Sequence, residues 1–107
     1  DPARIRQLMA ILLDNAFKYG RSGGEVSVKL QREGRRFVIE VYNTGQGISR
    51  EDLPHIFERF YRCDKARPGN GSYGLGLAIA QSIVQGCRGT LTAESEYGAW
   101  ARFRVTL

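Results

Sequence analysis

Apolar residues recur at intervals of three and four positions near the start of the chain, which predicts an amphipathic helix with one buried stripe. Asp1 and Pro2 are typical of a helix N-cap and first turn, and Tyr19 with Gly20 is typical of a helix end. We therefore predict a helix from the first residues to about Tyr19. The stripe consists of Ile5, Leu8, Met9, Leu12, Leu13, Ala16 and Phe17.

Alternation of apolar and polar residues then predicts a hairpin. Val26, Val28 and Leu30 alternate with polar residues, which is typical of a half-buried strand. Residues 37–42 form a richer apolar run, and residues 33–35 contain a glycine turn between the two runs. A short helix with a capping-box-like start is predicted over residues 49–56.

The second half of the chain repeats this order. A helix is predicted over about residues 75–85, with some combination of Leu77, Ile79, Ala80 and Ile83 supplying its buried positions. Strands follow over about residues 90–95 and 99–107, and in the last strand Ala101, Phe103, Val105 and Leu107 share one face.

This order of elements predicts an α+β fold: a two-layer α/β sandwich whose mixed, mostly antiparallel sheet is covered on one face by helices. With 107 residues, positions 1–107 make a single domain with one modest core.

Composition narrows the function only slightly. The net charge of +5 fits an anionic ligand or a plain basic surface, and it is weak support for nucleic-acid binding. No apolar run is long enough to span a membrane. Cys63 and Cys87 lie outside any metal-binding spacing, so we interpret them as reduced thiols of a cytosolic domain, with a disulfide between them as the less favoured alternative.

Three short elements carry the candidate chemistry. Asn15 is an amide within an apolar helix, where it is either a satisfied core residue or one ligand of Mg²⁺, an ion that takes few protein ligands. Asn43, Gly45 and Gly47 form a turn that is either ordinary or open to a flat ring approaching the backbone. Gly74 and its neighbours open a helix whose N-terminus favours an anion.

Cationic and aromatic side chains accompany these elements. Lys18 and Tyr19 lie close to Asn15 on the helix and could meet a phosphate and a base; otherwise they are a solvated lysine and a core-edge tyrosine. Arg62 and Arg67 flank a polar, glycine-rich segment that could close over phosphates, and a solvated basic loop is an equal alternative.

Other motifs are set aside. Residues 69–74 spell G-x-G-x-x-G, but a charged segment rather than a strand precedes them, so a dinucleotide fold is not indicated. His55 has no recognisable catalytic partner and is interpreted as a surface or structural residue. A Walker A motif and the signatures of eukaryotic-type protein kinases are absent from the sequence.

Four segments, taken in order, resemble the catalytic ATP-binding domain of bacterial sensor histidine kinases. This family belongs to a superfamily shared with gyrase, the mismatch-repair ATPase and the heat-shock chaperone ATPase. Residues 12–19 (LLDNAFKY), 43–48 (NTGQGI), 57–62 (FERFYR) and 74–79 (GLGLAI) are similar to the N, G1, F and G2 boxes of that family. The resemblance covers nearly the whole chain and implies the Bergerat form of the α/β sandwich.

The resemblance implies a role for individual residues. Asn15 would coordinate Mg²⁺, Lys18 would contact phosphate, Tyr19 would lie beside the adenine and Asn43 would bind the adenine amine. Arg62 and Arg67 would hold the polyphosphate, with Asn15, Lys18 and both arginines forming the catalytic set. The remaining nucleotide-contacting positions would be Gly45, Gly47, Ile48, Gly74, Leu75, Gly76 and Leu77.

Three features of the sequence depart from the family pattern. Asn43 stands where the family usually carries Asp, and Ala101 and Arg102 stand where a Thr commonly supports the adenine site. Ile11 stands where members that hydrolyse ATP typically carry Glu. Since Ile11 accepts no proton, we predict poor hydrolysis and transfer of the γ-phosphoryl group to an outside nucleophile.

The expected activity is therefore Mg-ATP-dependent phosphorylation of a histidine on a separate dimerisation and phosphoacceptor helical domain, with a response regulator downstream. We expect a cytoplasmic, monomeric catalytic domain, attached to a membrane only through other segments of a parent protein, and no nucleic-acid partner. Alternatives are a nucleotide-binding regulatory module, a related anti-sigma-type serine kinase and a small basic nucleic-acid-binding domain, which explains the charge but none of the glycine elements.

Overall fold

The computed structural model describes residues 2–20, 23–58 and 76–107. In these ranges the chain forms two α-helices, one short 3-10 helix and four strands. The elements are α1 (Pro2–Tyr19), β1 (Val26–Glu33), β2 (Arg36–Thr44), the 3-10 helix (Leu53–His55), α2 (Gly76–Gly86), β3 (Thr90–Glu96) and β4 (Trp100–Thr106). The predicted N-cap, Asp1, lies outside the described residues.

The strands form one sheet in the order β1-β2-β4-β3. Each of the three strand pairs in the described residues is antiparallel. Both α-helices pack on one face of this sheet and against each other, so the predicted two-layer α+β sandwich is confirmed. None of the helices in the described ranges is long and apolar enough to cross a membrane.

The core lies between the helices and the inner face of the sheet. Alternate residues of β2 and β4 face inward, because side chains along a strand point to opposite faces. The core members are Leu8, Leu12, Ala16, Ile39, Val41, Ile48, Ile56, Leu77, Ala80, Ile83, Val84, Leu91, Ala101, Phe103 and Val105. The predicted alternation in the last strand is confirmed, since Ala101, Phe103 and Val105 are buried.

The outer face of the sheet carries charged residues, and Arg102 and Arg104 form ion pairs across it. Arg102 bonds Glu94 at 3.2 Å, and Arg104 bonds Glu33 at 3.2 Å. The Arg102 guanidinium also lies 5.2 Å from the centre of the Trp100 ring. This face carries cross-strand pairs typical of a sheet surface that is exposed to water.

The predicted half-burial of the first strand is wrong. Val28 is 47% exposed and Leu30 is 69% exposed, although both lie on the inner side of β1. The cause is position: β1 is an edge strand, and neither described α-helix extends far enough across the sheet to cover it. An alternating pattern identifies a strand but does not show whether a neighbouring layer covers it.

The predicted short helix over residues 49–56 is reduced to a single 3-10 turn. Ser49 Oγ accepts the N–H of Asp52 at 3.2 Å, as in a capping box. The Asp52 carboxylate does not complete the box, because its Oδ2 accepts the Ser49 hydroxyl at 2.8 Å. The 3-10 helix begins only after Asp52, and it leads to Ile56, which is completely buried.

Candidate functional site

Both glycine-containing motifs lie against α1, the helix that carries Asn15. At the end of α1, Gly20 forms an antiparallel bridge with Gly45 of the first motif. Nearer its middle, the Cγ2 atom of Ile11 lies 3.6 Å from the place where a Cβ of Gly76 would be, so α1 also faces the start of α2. From Ile11 to Gly20 the helix axis advances about 14 Å, so the two motifs approach α1 within a short distance of each other.

Asn15 lies between these two contacts. It is one helical turn after Ile11, and residues four apart lie on the same helix face. The residue is partly buried, and within the described ranges its side chain has no hydrogen-bond partner. A half-buried amide in this position is suited to a ligand that enters between α1, the residue 43–48 turn and α2.

The turn at residues 43–48 is held rigidly by the β3–β4 hairpin. Gly45 N donates to Ala99 O at 3.0 Å, and Gly98 N donates to Gln46 O at 2.7 Å. Gly47 has φ of +67°, and a Cβ there would overlap the carbonyl oxygen of Glu96. Glycine is required at this position both for its backbone conformation and for the close approach of a neighbouring chain.

Ser95 completes this attachment and was missed by sequence reasoning. Its Oγ accepts the backbone N–H of Ile48 at 2.6 Å and donates to Trp100 O at 2.7 Å. The available signal was its position: Ser95 follows Leu91 and Ala93 on the inward face of β3, where an apolar residue is the norm. A polar residue on an apolar face indicates a specific hydrogen bond.

Asn43 is the only buried polar residue in the described part of the chain, with 2% of its surface exposed. It follows Val41 on the inward face of β2, and its Nδ2 donates to Thr44 O at 3.3 Å. Its cross-strand neighbours are Val26 and Ala101. Burial of an amide with so few partners is costly unless the group has a further use.

The other predicted site residues are distributed between surface, core and the undescribed part. Lys18 is exposed in the last turn of α1. Tyr19 is the last residue of that helix. Ile48 and Leu77 are buried, with 3% and 1% exposed, so they support the site from the core. Four of the predicted positions lie outside the described residues: Arg62, Arg67, Gly74 and Leu75.

A cavity of about 280 Å³ lies at the C-terminal end of α1, next to the start of β1 and the end of β2. Its lining includes residues of the 12–19 and 43–48 motifs but none of the residues predicted to contact the nucleotide, so we do not assign the candidate chemistry to it. The lining residues are Ala16, Phe17, Gly20, Gly24, Glu25, Val26 and Thr44.

The side chains around Asn15 suit a metal ion that is coordinated mainly by a bound phosphate compound and by water, with few protein atoms. Among the described residues no group of three or more His, Cys, Asp or Glu side chains is placed to hold a metal. One amide oxygen with phosphate oxygens and water is a normal Mg²⁺ environment, because this ion retains several waters and takes few protein ligands.

A family model described as histidine kinase-, DNA gyrase B-, and HSP90-like ATPase matches residues 1–107. The chain belongs to this ATPase family. Its members include relatives among the curated proteins: the sensor protein CiaH of Streptococcus pneumoniae is 41% identical over all of this chain, and the histidine-protein kinase ArlS of Staphylococcus haemolyticus is 39% identical over 95% of it.

Solved structures agree with this membership. The mycobacterial sensor histidine kinase MprB superposes on the whole chain with a TM-score of 0.83 and 28% identity, and the chain covers 71% of it. Full-length ShkA in complex with AMPPNP superposes on 99% of the chain with a TM-score of 0.84 and 27% identity, and the chain covers 21% of it. The family resemblance and the fold predicted from the four boxes are confirmed.

The chain spans about a quarter of the length of these curated relatives, 24% of CiaH and 23% of ArlS. The match therefore concerns the ATPase-family domain, which these kinases combine with other segments.

Proposed function

We propose that this domain binds Mg-ATP between α1, the residue 43–48 turn and α2, and transfers the γ-phosphoryl group to a histidine of a separate helical domain. The observation that carries the proposal is the placement of Asn15 between two contacts of α1, with Gly45 near its end and Gly76 near its middle. Those contacts bring three separated sequence motifs around one partly buried amide.

Each residue has a defined task in this proposal. The Asn15 amide oxygen would hold Mg²⁺, and Lys18, on the exposed side of the same helix, would meet the phosphates. Asn43 would bind position 6 of the purine, and Gly45 and Gly47 would form the surface beneath the ring. Tyr19, Arg62, Arg67, Gly74 and Leu75 would complete the contacts to base and phosphates. When bound, Mg²⁺ neutralises charge that develops on the phosphoryl oxygens.

The N-terminus of α2 supports the phosphate end of this arrangement. The helix begins at Gly76 and runs for 11 residues, so its first N–H groups and its dipole favour an anion. Leu77 holds this end in place because it is buried in the core beside α1. We infer that the triphosphate lies along the line from Gly76 towards Asn15.

Ile11 supports phosphoryl transfer over hydrolysis. Its aliphatic side chain lies against Gly76, one turn before Asn15, and offers no group that accepts a proton from water. A positioned general base commonly contributes about 10²–10⁴-fold to a rate. Transfer to an imidazole needs no such base, because a neutral histidine is itself a nucleophile, and positioning supplies the rate.

The proposed partners follow from this chemistry and from the relatives. The phosphoacceptor histidine would belong to a dimerisation domain of a parent sensor kinase, and a response regulator would receive the phosphoryl group from it. We propose that the domain works in the cytoplasm as a monomeric unit of that parent. A membrane would be reached only through other segments.

Isothermal titration with a non-hydrolysable ATP analogue, with and without Mg²⁺, tests the binding step. We expect Asn15→Ala to reduce the Mg²⁺-dependent affinity by at least about tenfold, since contacts to charged groups contribute about 1.5–3 kcal/mol. Gln7→Ala is the matched control, because it removes an exposed amide from the same helix. Equal affinity in all three proteins would refute the metal assignment.

The transfer step is tested by adding the phosphoacceptor domain of the parent kinase in trans with labelled ATP. Label that is lost in acid and retained in base identifies a phosphohistidine. Acid-stable label on serine would favour the related serine kinase.

Nucleotide binding without any transfer would favour the regulatory module, a second candidate that the departures at Asn43 and Ala101 support. Binding of nucleic acid that weakens steeply with salt, in a protein that ignores ATP, would favour the basic-domain alternative.

A further inference from the structure

Asn43 is placed to decide which purine the proposed nucleotide site accepts. It is almost fully buried at 2% exposure, on the inward face of β2 and two residues before Gly45. This inference rests on the proposed nucleotide binding, and it concerns the base rather than the phosphates.

The orientation of the Asn43 amide is only weakly fixed. Its single hydrogen bond within the described residues runs from Nδ2 to Thr44 O and is long, at 3.3 Å. The residues beside it on the neighbouring strands are Val26 and Ala101, whose side chains have no polar atom. Neither cross-strand side chain therefore distinguishes the oxygen end of the amide from its nitrogen end, and only the long bond to Thr44 O does so.

The two orientations of an amide present opposite chemistry. With Oδ1 towards the ligand the side chain accepts a hydrogen bond, as the exocyclic amine of a 6-aminopurine requires. After a half-turn about the terminal torsion, Nδ2 donates, as the carbonyl of a 6-oxopurine requires. This rotation breaks the long hydrogen bond to Thr44 O and turns Oδ1 towards that oxygen, so a 6-oxopurine is bound at some cost.

An ionised carboxylate at position 43 would behave differently. Both of its oxygens accept, so either orientation would face the carbonyl of a 6-oxopurine with another acceptor. A site built around a hydrogen bond rejects a ligand that leaves a buried polar group unpaired. Asn43 removes that rejection.

We propose that Asn43 makes this domain accept both 6-amino- and 6-oxopurine nucleotides, with the amide rotating to match the base. Adenosine and inosine nucleotides are the appropriate probes, because they differ only at position 6 and in the proton on N1. Guanosine nucleotides are less suitable probes, because the 2-amino group of guanine is a further difference from adenine.

Isothermal titration of the chain with ADP and with IDP, at one Mg²⁺ and salt concentration, gives the ratio of the two dissociation constants, which tests the inference. We expect IDP to bind within about tenfold of ADP, the equivalent of one ordinary hydrogen bond. In Asn43→Asp we expect the preference for ADP to widen to about a hundredfold or more, mainly by weaker binding of IDP. A native chain that already prefers ADP a hundredfold, or an unchanged ratio in Asn43→Asp, overturns the inference.

Asn43→Ala is a second test, which applies if the buried carboxylate of Asn43→Asp prevents the chain from folding. This variant has no group at the base, so we expect weaker binding of both nucleotides by a similar factor. If Asn43→Ala binds both as tightly as the native chain, Asn43 does not touch the base and the inference fails. If the native chain binds neither ADP nor IDP, the proposed function itself fails, and the inference falls with it.

Discussion

The hydroxyl of Ser95 on β3 accepts the backbone N–H of Ile48 at 2.6 Å and donates to the carbonyl of Trp100 on β4 at 2.7 Å. One side chain thus joins the residue 43–48 turn to a hairpin that is 47 positions away in the sequence. Since Ile48 is buried, its N–H has little access to water, and Ser95 is the partner it requires.

Ser95→Ala should destabilise the fold by about 1–3 kcal/mol, because it leaves a buried donor without a partner. Urea unfolding monitored by circular dichroism measures the change. Thr92→Ala, which removes an exposed hydroxyl from the outer face of the same strand, is the control and should cost less than about 0.5 kcal/mol. Equal losses in the two variants would show that the Ser95 bond is unimportant.

Gly47 and Gly34 form a matched pair with similar backbone conformations and different surroundings. Their φ angles are +67° and +64°, but a Cβ on Gly47 would overlap Glu96 O, whereas a Cβ on Gly34 meets nothing within 4 Å. Gly34→Ala should therefore cost about 1–2 kcal/mol for the left-handed conformation alone.

Gly47→Ala should cost about 1–3 kcal/mol more than Gly34→Ala, since the hairpin must also shift to admit the methyl group. Thermal unfolding of the two variants gives the difference. Comparable melting temperatures would mean that the turn moves away from Glu96 easily, and the rigid attachment described above would then be wrong.

Local patterns were sufficient to predict most of the elements. The apolar stripe of α1, the second helix and the alternation of Ala101, Phe103 and Val105 each concern neighbours within a few positions, where helix and strand periods act. Phe17 is the exception in the α1 stripe, since it is 70% exposed. The order of the strands was not predicted, because the central pairing of β2 with β4 joins residues such as Val41 and Phe103 that are far apart in sequence.

The site shows the same division. Asn15, Asn43 and Gly47 were predicted as site residues from their local motifs, and the bridge between Gly20 and Gly45 shows how two of those motifs meet in the fold. Ser95 was not identified, because a single serine in a strand has no local signature. Its importance depends on a partner that only the folded chain brings near.

Leu30→Thr tests the corrected description of β1. Leu30 is 69% exposed, so its replacement should change the free energy of unfolding by less than about 0.5 kcal/mol, and threonine retains the strand preference. Leu12→Ala, at a position with 0% exposure, should cost about 2–5 kcal/mol. A loss above about 1.5 kcal/mol in Leu30→Thr would show that another layer covers this strand.

Arg88 lies two residues after the end of α2 in a conformation that favours glycine, with φ of +58°. It is the only residue other than glycine with positive φ in the described ranges. Two backbone hydrogen bonds connect this turn to the last residues of the helix: Arg88 N donates to Gln85 O at 3.0 Å, and Gly89 N donates to Val84 O at 2.9 Å. These bonds belong to a helix C-cap, where glycine is the usual residue.

Arg88→Gly should therefore stabilise the domain by about 0.5–1 kcal/mol. Relief of the left-handed conformation contributes about 1–2 kcal/mol, and the greater freedom of glycine in the unfolded chain offsets part of it. Cys87→Gly is the neighbouring control and should destabilise, since Cys87 has no positive φ to relieve. A lower melting temperature for Arg88→Gly would mean that the arginine side chain stabilises the helix end by more than its backbone conformation costs.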